Sequence, residues 1–275
     1  MAKLFLGTKE SSPVVKTTVV KNKEKFGLTF DNFLGNIDEN GVLQRKTTFK
    51  GDVVFDGVVG LSVAACENMF LGWDDVSALV FPSLEYIRGE SACSDIANSA
   101  SFSSVSFPSL KTIEGTYVMR RAFYNCLSLN EVLFPKLEII YGTWACQSML
   151  SYTVALYSKI KKIDFANLTT ITGTNCMEYA FNCCGSLQDV LVPKLTTISG
   201  NYACSHMFPS CKALTTISFP SLTTIEGTKP MYEMFSYCTN LSEIHFRADM
   251  QVTVEALSEY SNKFGATNAT IYFDL

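Results

Sequence analysis

The 275 residues are 47% hydrophobic and only 17% charged, which supplies ample core and excludes the composition of a disordered chain. A formal net charge of −4 gives no bulk attraction for nucleic acid or anionic lipid, so neither is an expected partner. No run approaches the roughly 18 apolar residues of a membrane-spanning helix.

At the amino terminus Lys3, Lys9, Lys16, Lys21, Lys23 and Lys25 outnumber Glu10 and Glu24. This reads as a solvated basic arm rather than a phosphate-binding patch. The opening MAKLFLGTKESS has no continuous apolar h-region and no small-residue cleavage site, so a secretory signal is not expected there. Further on, KFGLTFDNFLGNID (Lys25–Asp38) predicts a strand followed by a short helix. Residues 1–52 lack the period that governs the rest of the chain. They are read as an attachment or capping segment, through which the protein would associate with itself or with a larger assembly.

From residue 53 to residue 247 one unit recurs. Units start at Phe55, Phe81, Phe107, Phe134, Phe165, Val192, Phe219 and Phe246, in steps of 26, 26, 27, 31, 27, 27 and 27 residues. The long step carries an insertion placed near Tyr157–Lys162. A Leu follows three residues after the start (Leu84 to Leu222), an Ile after six (Ile87 to Ile225) and a Gly after eight (Gly89 to Gly227). Then comes a block such as CENMF (Cys66–Phe70), MRRAF (Met119–Phe123) or MYEMF (Met231–Phe235), and a Cys and a Leu close the unit, as at Cys238 and Leu241.

Period two at I-x-F and at L-x-x-I predicts two strands, and the four-residue spacing of the block predicts a short helix with both ends on one face. The Pro after the first strand removes a ladder donor and marks its end. A single unit cannot bury its apolar face, but stacked neighbours can. The predicted fold is therefore a right-handed, leucine-rich-repeat-like α+β solenoid: one parallel strand, a second short strand and a short helix per 26–27-residue unit, with one continuous parallel ladder.

The phrase I-x-F-P-x-L-x-x-I-x-G … A-F-x-x-C-x-x-L, with NCLSL at Asn125–Leu129, resembles the BspA-like class of leucine-rich repeats over residues 53–247. The units here are longer than that family's usual period. The resemblance implies a surface or secreted binding protein, often adhesive, without catalysis.

Residues 248–275 leave the repeat and form a predicted carboxy-terminal cap, with a helix-compatible VTVEALSEY (Val252–Tyr260) and a strand-like ATIYF (Ala269–Phe273). Such caps cover the core and edges that a solenoid would otherwise expose. The opening MAKLFLGTKE and the ending FGATNATIYFDL also resemble the ends of repeat proteins encoded by gut bacteriophages and prophages. That likeness implies a virion or extracellular-surface location reached without a signal peptide.

Ten cysteines raise a metal or disulfide reading, which their register opposes. Cys66, Cys93, Cys146 and Cys204 share one column with Met119, Met177 and Met231, and a metal or disulfide site would not accept Met. Cys126, Cys184, Cys211 and Cys238 share a second column; Cys176 and Cys183 lie off register. Core thiols are expected, and no metal or other cofactor. His206 and His245 have no partner histidine at metal spacing and are read as structural or exposed. The sequons at Asn167, Asn240 and Asn268 are read as incidental. Thr pairs such as Thr169–Thr170 and Thr196–Thr197 occupy outward strand positions, where they would stabilise the stack.

The candidate binding surface is the outward column just before each unit start: Val80, Ser106, Leu133, Asp164, Leu191, Ser218 and His245. If Ile217 and Phe219 point inward, Ser218 between them points out. Exposed Val80, Leu133 and Leu191 would fit a contact surface, and they fit equally the scattered apolar residues of any protein surface. The sequence-level expectation is a non-enzymatic binding or assembly module whose ligand is a protein or a surface glycan. The leading setting is a phage virion or tail-associated protein recognising a bacterial surface; the alternative is a bacterial cell-surface adhesin of the BspA-like class.

Overall fold

A computed structural model describes residues 2–8, 16–22, 51–54, 60–61, 66–72, 76–152 and 158–275, the first three stretches as backbone. The strand and helix expected over residues 25–38, and the unit start at Phe55, lie outside the described residues. From residue 60 onward each unit is one turn of a solenoid with three sides. Two sides are strands and the third is a ribbon of turns.

The first strand side is made by β3 (Gly51–Val54), β5 (Val76–Val80), β7 (Ser104–Ser106), β9 (Glu131–Leu133), β11 (Lys162–Asp164), β13 (Asp189–Leu191), β15 (Thr216–Phe219) and β17 (Glu243–Phe246). The second is made by β4 (Gly60–Leu61), β6 (Tyr86–Arg88), β8 (Thr112–Glu114), β10 (Ile139–Tyr141), β12 (Thr170–Thr172), β14 (Thr197–Ser199) and β16 (Thr224–Glu226). The second side is one unbroken parallel sheet of seven strands. Its register sets Ile87, Ile113, Ile140, Ile171, Ile198 and Ile225 side by side, all buried.

The first side is not continuous, contrary to the expected single ladder. It divides into a sheet ending at β9, the pair β11–β13, and a sheet beginning at β15. The first division falls in the long unit, between Tyr152, whose N–H donates to the Asn182 carbonyl of the next rung, and Ile160 in the core. Residues 153–157, where the insertion expected near Tyr157–Lys162 begins, lie outside the described residues. At the second division, Val192 stands where other units place Phe, and the smaller side chain leaves a small apolar void lined by Val190, Val192, Ile217 and Phe219.

The third side is not a helix. Left-handed φ recurs every fourth residue, as at Ser91, Asp95 and Ser99 or at Tyr117, Arg121 and Asn125. Alternate N–H groups have different destinations. Those of Ser91, Cys93, Asp95, Ala97 and Ser99 donate to carbonyls of the next rung, while those of Ser94, Ile96, Asn98 and Ala100 close turns three residues back. Burial follows the same period of four: Val118–Met119 and Ala122–Phe123 point in, Arg120–Arg121 and Tyr124–Asn125 point out. An α-helix would place positions i and i+4 together just as well. It is, however, about 10 Å across, and rungs bonded on every side at about 4.8 Å leave no room for it.

The core is a set of columns. Phe81, Phe107 and Phe134 stack with centroids 5.0 and 5.2 Å apart, one ring per rung, and Phe219 stacks on Phe246 at 5.2 Å. The corner glycines run along the axis, and a Cβ on Gly142 would lie 2.2 Å from the Gly115 carbonyl oxygen. Thr196 Oγ1 donates to the Thr169 carbonyl at 3.0 Å, and Thr169 Oγ1 to the Glu138 carbonyl at 3.0 Å, so the threonines tie rung to rung as expected.

The ends are closed by elements outside the repeat. β1 (Ala2–Thr8) and β2 (Lys16–Asn22) form an antiparallel pair, and β2 runs parallel to β3. At the other end a short helix α1 (Gln251–Glu255) leads through a 3-10 segment (Tyr260–Gly265) to β18 (Thr270–Phe273), which extends the first side beyond β17. The last turn rung is capped directly: the Phe235 N–H donates to the Phe264 carbonyl at 2.9 Å, and the Met231 N–H to the buried Glu259 carboxylate at 3.3 Å.

Candidate functional site

The alternation of the three-residue strands decides which side chains leave the core. Val105, Val132, Ile163, Val190, Ile217 and Ile244 point in, so the residue after each points out. The register aligns Val80, Ser106 and Leu133; Asp164 and Leu191; and Ser218 and His245. The predicted column therefore exists as three segments, interrupted where the ladder divides.

Leu133 and Leu191 retain 39% and 42% of their exposure, and Val80, Ser106, Asp164, Ser218 and His245 are half-buried. Asp164 is met by Lys162 at 2.9 Å on its own strand. His245 stacks on Tyr272 at 4.8 Å, with Nδ1 2.9 Å from Asp274 and Nε2 3.4 Å from Glu243. Tyr272 thus continues the column on β18, a member that the repeat pattern could not supply because the cap lies outside it.

The division between β13 and β15 is a cleft of about 330 Å³. Leu191 and Ser218 stand on opposite sides of it, with Gln188, Thr216, Pro193 and Pro220 around them. Backbone groups that pair elsewhere on this face line the opening, and Val192 forms part of it. The cleft offers mixed apolar and main-chain polar contact, the makeup expected of a shallow recognition site.

The turn side carries a second group of surface residues that sequence reasoning missed. Ten residues after each unit start lies one column, Ser91, Tyr117, Trp144, Asn175, Tyr202 and Lys229, aligned by N–H bonds from Tyr117, Trp144, Asn175 and Tyr202 to the neighbouring rung. Tyr117 and Trp144 stack at 5.2 Å, and the Arg120 guanidinium lies 5.3 Å from the Tyr117 ring. The next column holds Tyr179 and His206, stacked at 4.8 Å, with His206 Nδ1 2.9 Å from Ser205 Oγ. The signal was available as aromatics at a fixed offset of ten residues from the unit start.

All ten cysteines are free thiols; nine are buried and Cys183 is half-buried. Burial pushes Cys126 and Cys176 each up to about 12, and raises Cys146, Cys184 and Cys204 as well. Thiols held protonated in this way are weak nucleophiles at neutral pH.

A family model for the BspA type leucine rich repeat region matches residues 82–228 and 158–263, in six copies. No curated protein matches the chain.

Proposed function

Because the chain belongs to the BspA-type leucine-rich-repeat family and is a repeat binding module of the adhesin type, we propose that it recognises a bacterial surface without catalysing a reaction, and that it does so as a virion or tail-associated phage protein. The observation that carries the binding reading is the cleft between β13 and β15, where exposed Leu191 borders main-chain groups left without a ladder partner. A sealed solenoid would have spent those groups on its own stability. The raised thiols support the non-catalytic part, since they weaken the cysteines as candidate nucleophiles. The likeness of both ends to phage-encoded repeat proteins supports the virion setting. In this setting residues 1–52 attach the module, and β1, the outermost strand of its sheet, presents an edge from which such an attachment can be built.

Family membership supports one further reading, a bacterial cell-surface adhesin carrying the same module. Fractionation separates the two. The chain is expected in purified phage particles, detected by mass spectrometry, and the isolated protein is expected to bind intact bacteria. Recovery from the cell envelope and never from particles would favour the adhesin. Recovery from the cytosol alone, with no binding to cells, would refute both.

A further inference from the structure

We infer that the turn side holds a carbohydrate site, a shelf formed by Trp144, Asn175, Gln147 and Glu178 that takes a neutral hexopyranose ring. The inference rests on the surface-recognition reading and names the ligand class behind it.

The aromatic stack on the turn side is interrupted at one place. Tyr117 and Trp144 are parallel to within 4°, and one face of Trp144 is covered by that contact. The next residue in the column is Asn175, and the one after is Tyr202. Trp144 and Tyr202 are therefore two rungs apart, about 9.6 Å at the usual strand spacing, with a short side chain between them. The second face of Trp144 looks over a space that an aromatic ring would otherwise fill.

The surroundings of that space are polar. Gln147 and Glu178 close the turns that begin at Trp144 and Asn175, through N–H bonds of 3.3 and 3.2 Å, so both lie beside the shelf. Gln147 Nε2 donates to Glu178 Oε2 at 2.7 Å, which holds the pair in place and leaves the other carboxylate oxygen as an acceptor. Trp144, Asn175, Gln147 and Glu178 are all half-buried, so each is held yet reachable. A pyranose chair presents a C–H face and a rim of hydroxyls. The C–H face fits a free aromatic face, and the hydroxyls fit an amide and a carboxylate. The carboxylate disfavours an acidic sugar by like-charge repulsion, which is why a neutral ring is assigned.

The backbone gives a second argument. Tyr117, Trp144 and Tyr202 have φ of 55°, 52° and 56°, a region where bulky residues are uncommon and where Gly or Asn is favoured. Asn175 shares that φ, at 53°, so the backbone is uniform along the column and only the side chain changes at the gap between Trp144 and Tyr202.

The chain has two tryptophans, Trp73 and Trp144, so a Trp73→Phe protein reports on Trp144 alone. Its fluorescence is to be titrated with maltotriose, cellotriose and chitotriose, with sialyllactose as an acidic sugar and AMP as a flat ring. At least one neutral trisaccharide is expected to give a saturable change. Adding Asn175→Tyr fills the space with a ring that the column already tolerates at Tyr117 and Tyr202, and is expected to weaken that binding by about tenfold or more with the thermal midpoint retained. A response to sialyllactose or AMP alone, no response to any neutral trisaccharide, or unchanged binding in Asn175→Tyr would each overturn the inference. Intact protein that binds cells but no trisaccharide would leave surface recognition standing and remove this site; sugar binding without cell binding would do the reverse.

Discussion

The Cys238 thiol lies 3.0 Å from the carbonyl oxygen of Phe208, 30 residues earlier and one rung away. The same relation recurs at Cys211 with Phe181 (3.3 Å), Cys184 with Leu150 (3.2 Å) and Cys126 with Ala97 (2.8 Å). This column is thus a set of weak donors stitching consecutive rungs, and it is more than small apolar filler. A hydroxyl in the same place would keep a donor. Cys211→Ser is therefore expected to cost about 1 kcal/mol, the low end for burying a hydroxyl in place of a less polar group. Phe208→Ala, which empties a core position, is expected to cost about 3–5 kcal/mol. Urea unfolding of the two variants tests the order.

The buried thiols also set a pH dependence. Cys126 titrates near about 12 when folded because burial penalises the thiolate, whereas an unfolded thiol titrates near ~8.5. Below that pH both states hold the proton and stability is unaffected. Above it the unfolded chain releases protons that the folded chain keeps, so stability falls as pH rises from about 8.5 toward 12. Urea midpoints are expected to decline across that window, less steeply in Cys126→Ala. A flat profile would contradict the burial.

The glycine corner predicts a sharp contrast between two alanines. Gly142 has φ of 133°, and an added Cβ would meet the Gly115 carbonyl at 2.2 Å. Gly72 has φ of 65° with nothing within 4 Å. Gly142→Ala is expected to lower stability by at least ~2 kcal/mol, since strain and overpacking add. Gly72→Ala should cost about 1 kcal/mol from its left-handed backbone alone. Calorimetric midpoints for the pair decide this.

Leu133 and Leu191 face outward, so converting both to Ser should shift stability by under about 0.5 kcal/mol. The same double variant should weaken attachment to cells or to a partner chain. Marked destabilisation with unchanged association would show that these leucines serve the fold alone.

The two histidines are expected to titrate on opposite sides of the ordinary value. Burial lowers His206, and the nearby Glu233 and Glu178 offset this only in part. At His245 burial also pulls downward, but the hydrogen bonds it makes to the Asp274 and Glu243 carboxylates outweigh it and raise the pKa. A raised folded pKa gives stability that is complete below about 6.5, the unfolded value, and lost as pH rises through the folded one. NMR titration should resolve two curves, and His245→Gln should remove the higher one together with part of the cap's stabilisation on the acid side.

The sequence by itself determined the repeat, the inward columns and the direction of each strand residue, because period-two burial and a 26–27-residue step leave little freedom once units stack. Ile87 through Ile225, the Phe stack and the thiol columns were all legible that way. So was the exposure of Leu133 and Leu191, although neither period nor composition could show what they touch. Only the tertiary structure decided that the third side is turns. A spacing of four satisfies a helix and a turn ribbon alike, and the choice rests on N–H bonds between residues one rung apart, such as Tyr117 to Thr143. The two divisions of the first strand side were equally hidden. One falls at the long unit with its extra residues, and the other beside Val192, where other units place Phe. Both depend on how neighbouring rungs meet, and a unit read alone has no neighbour.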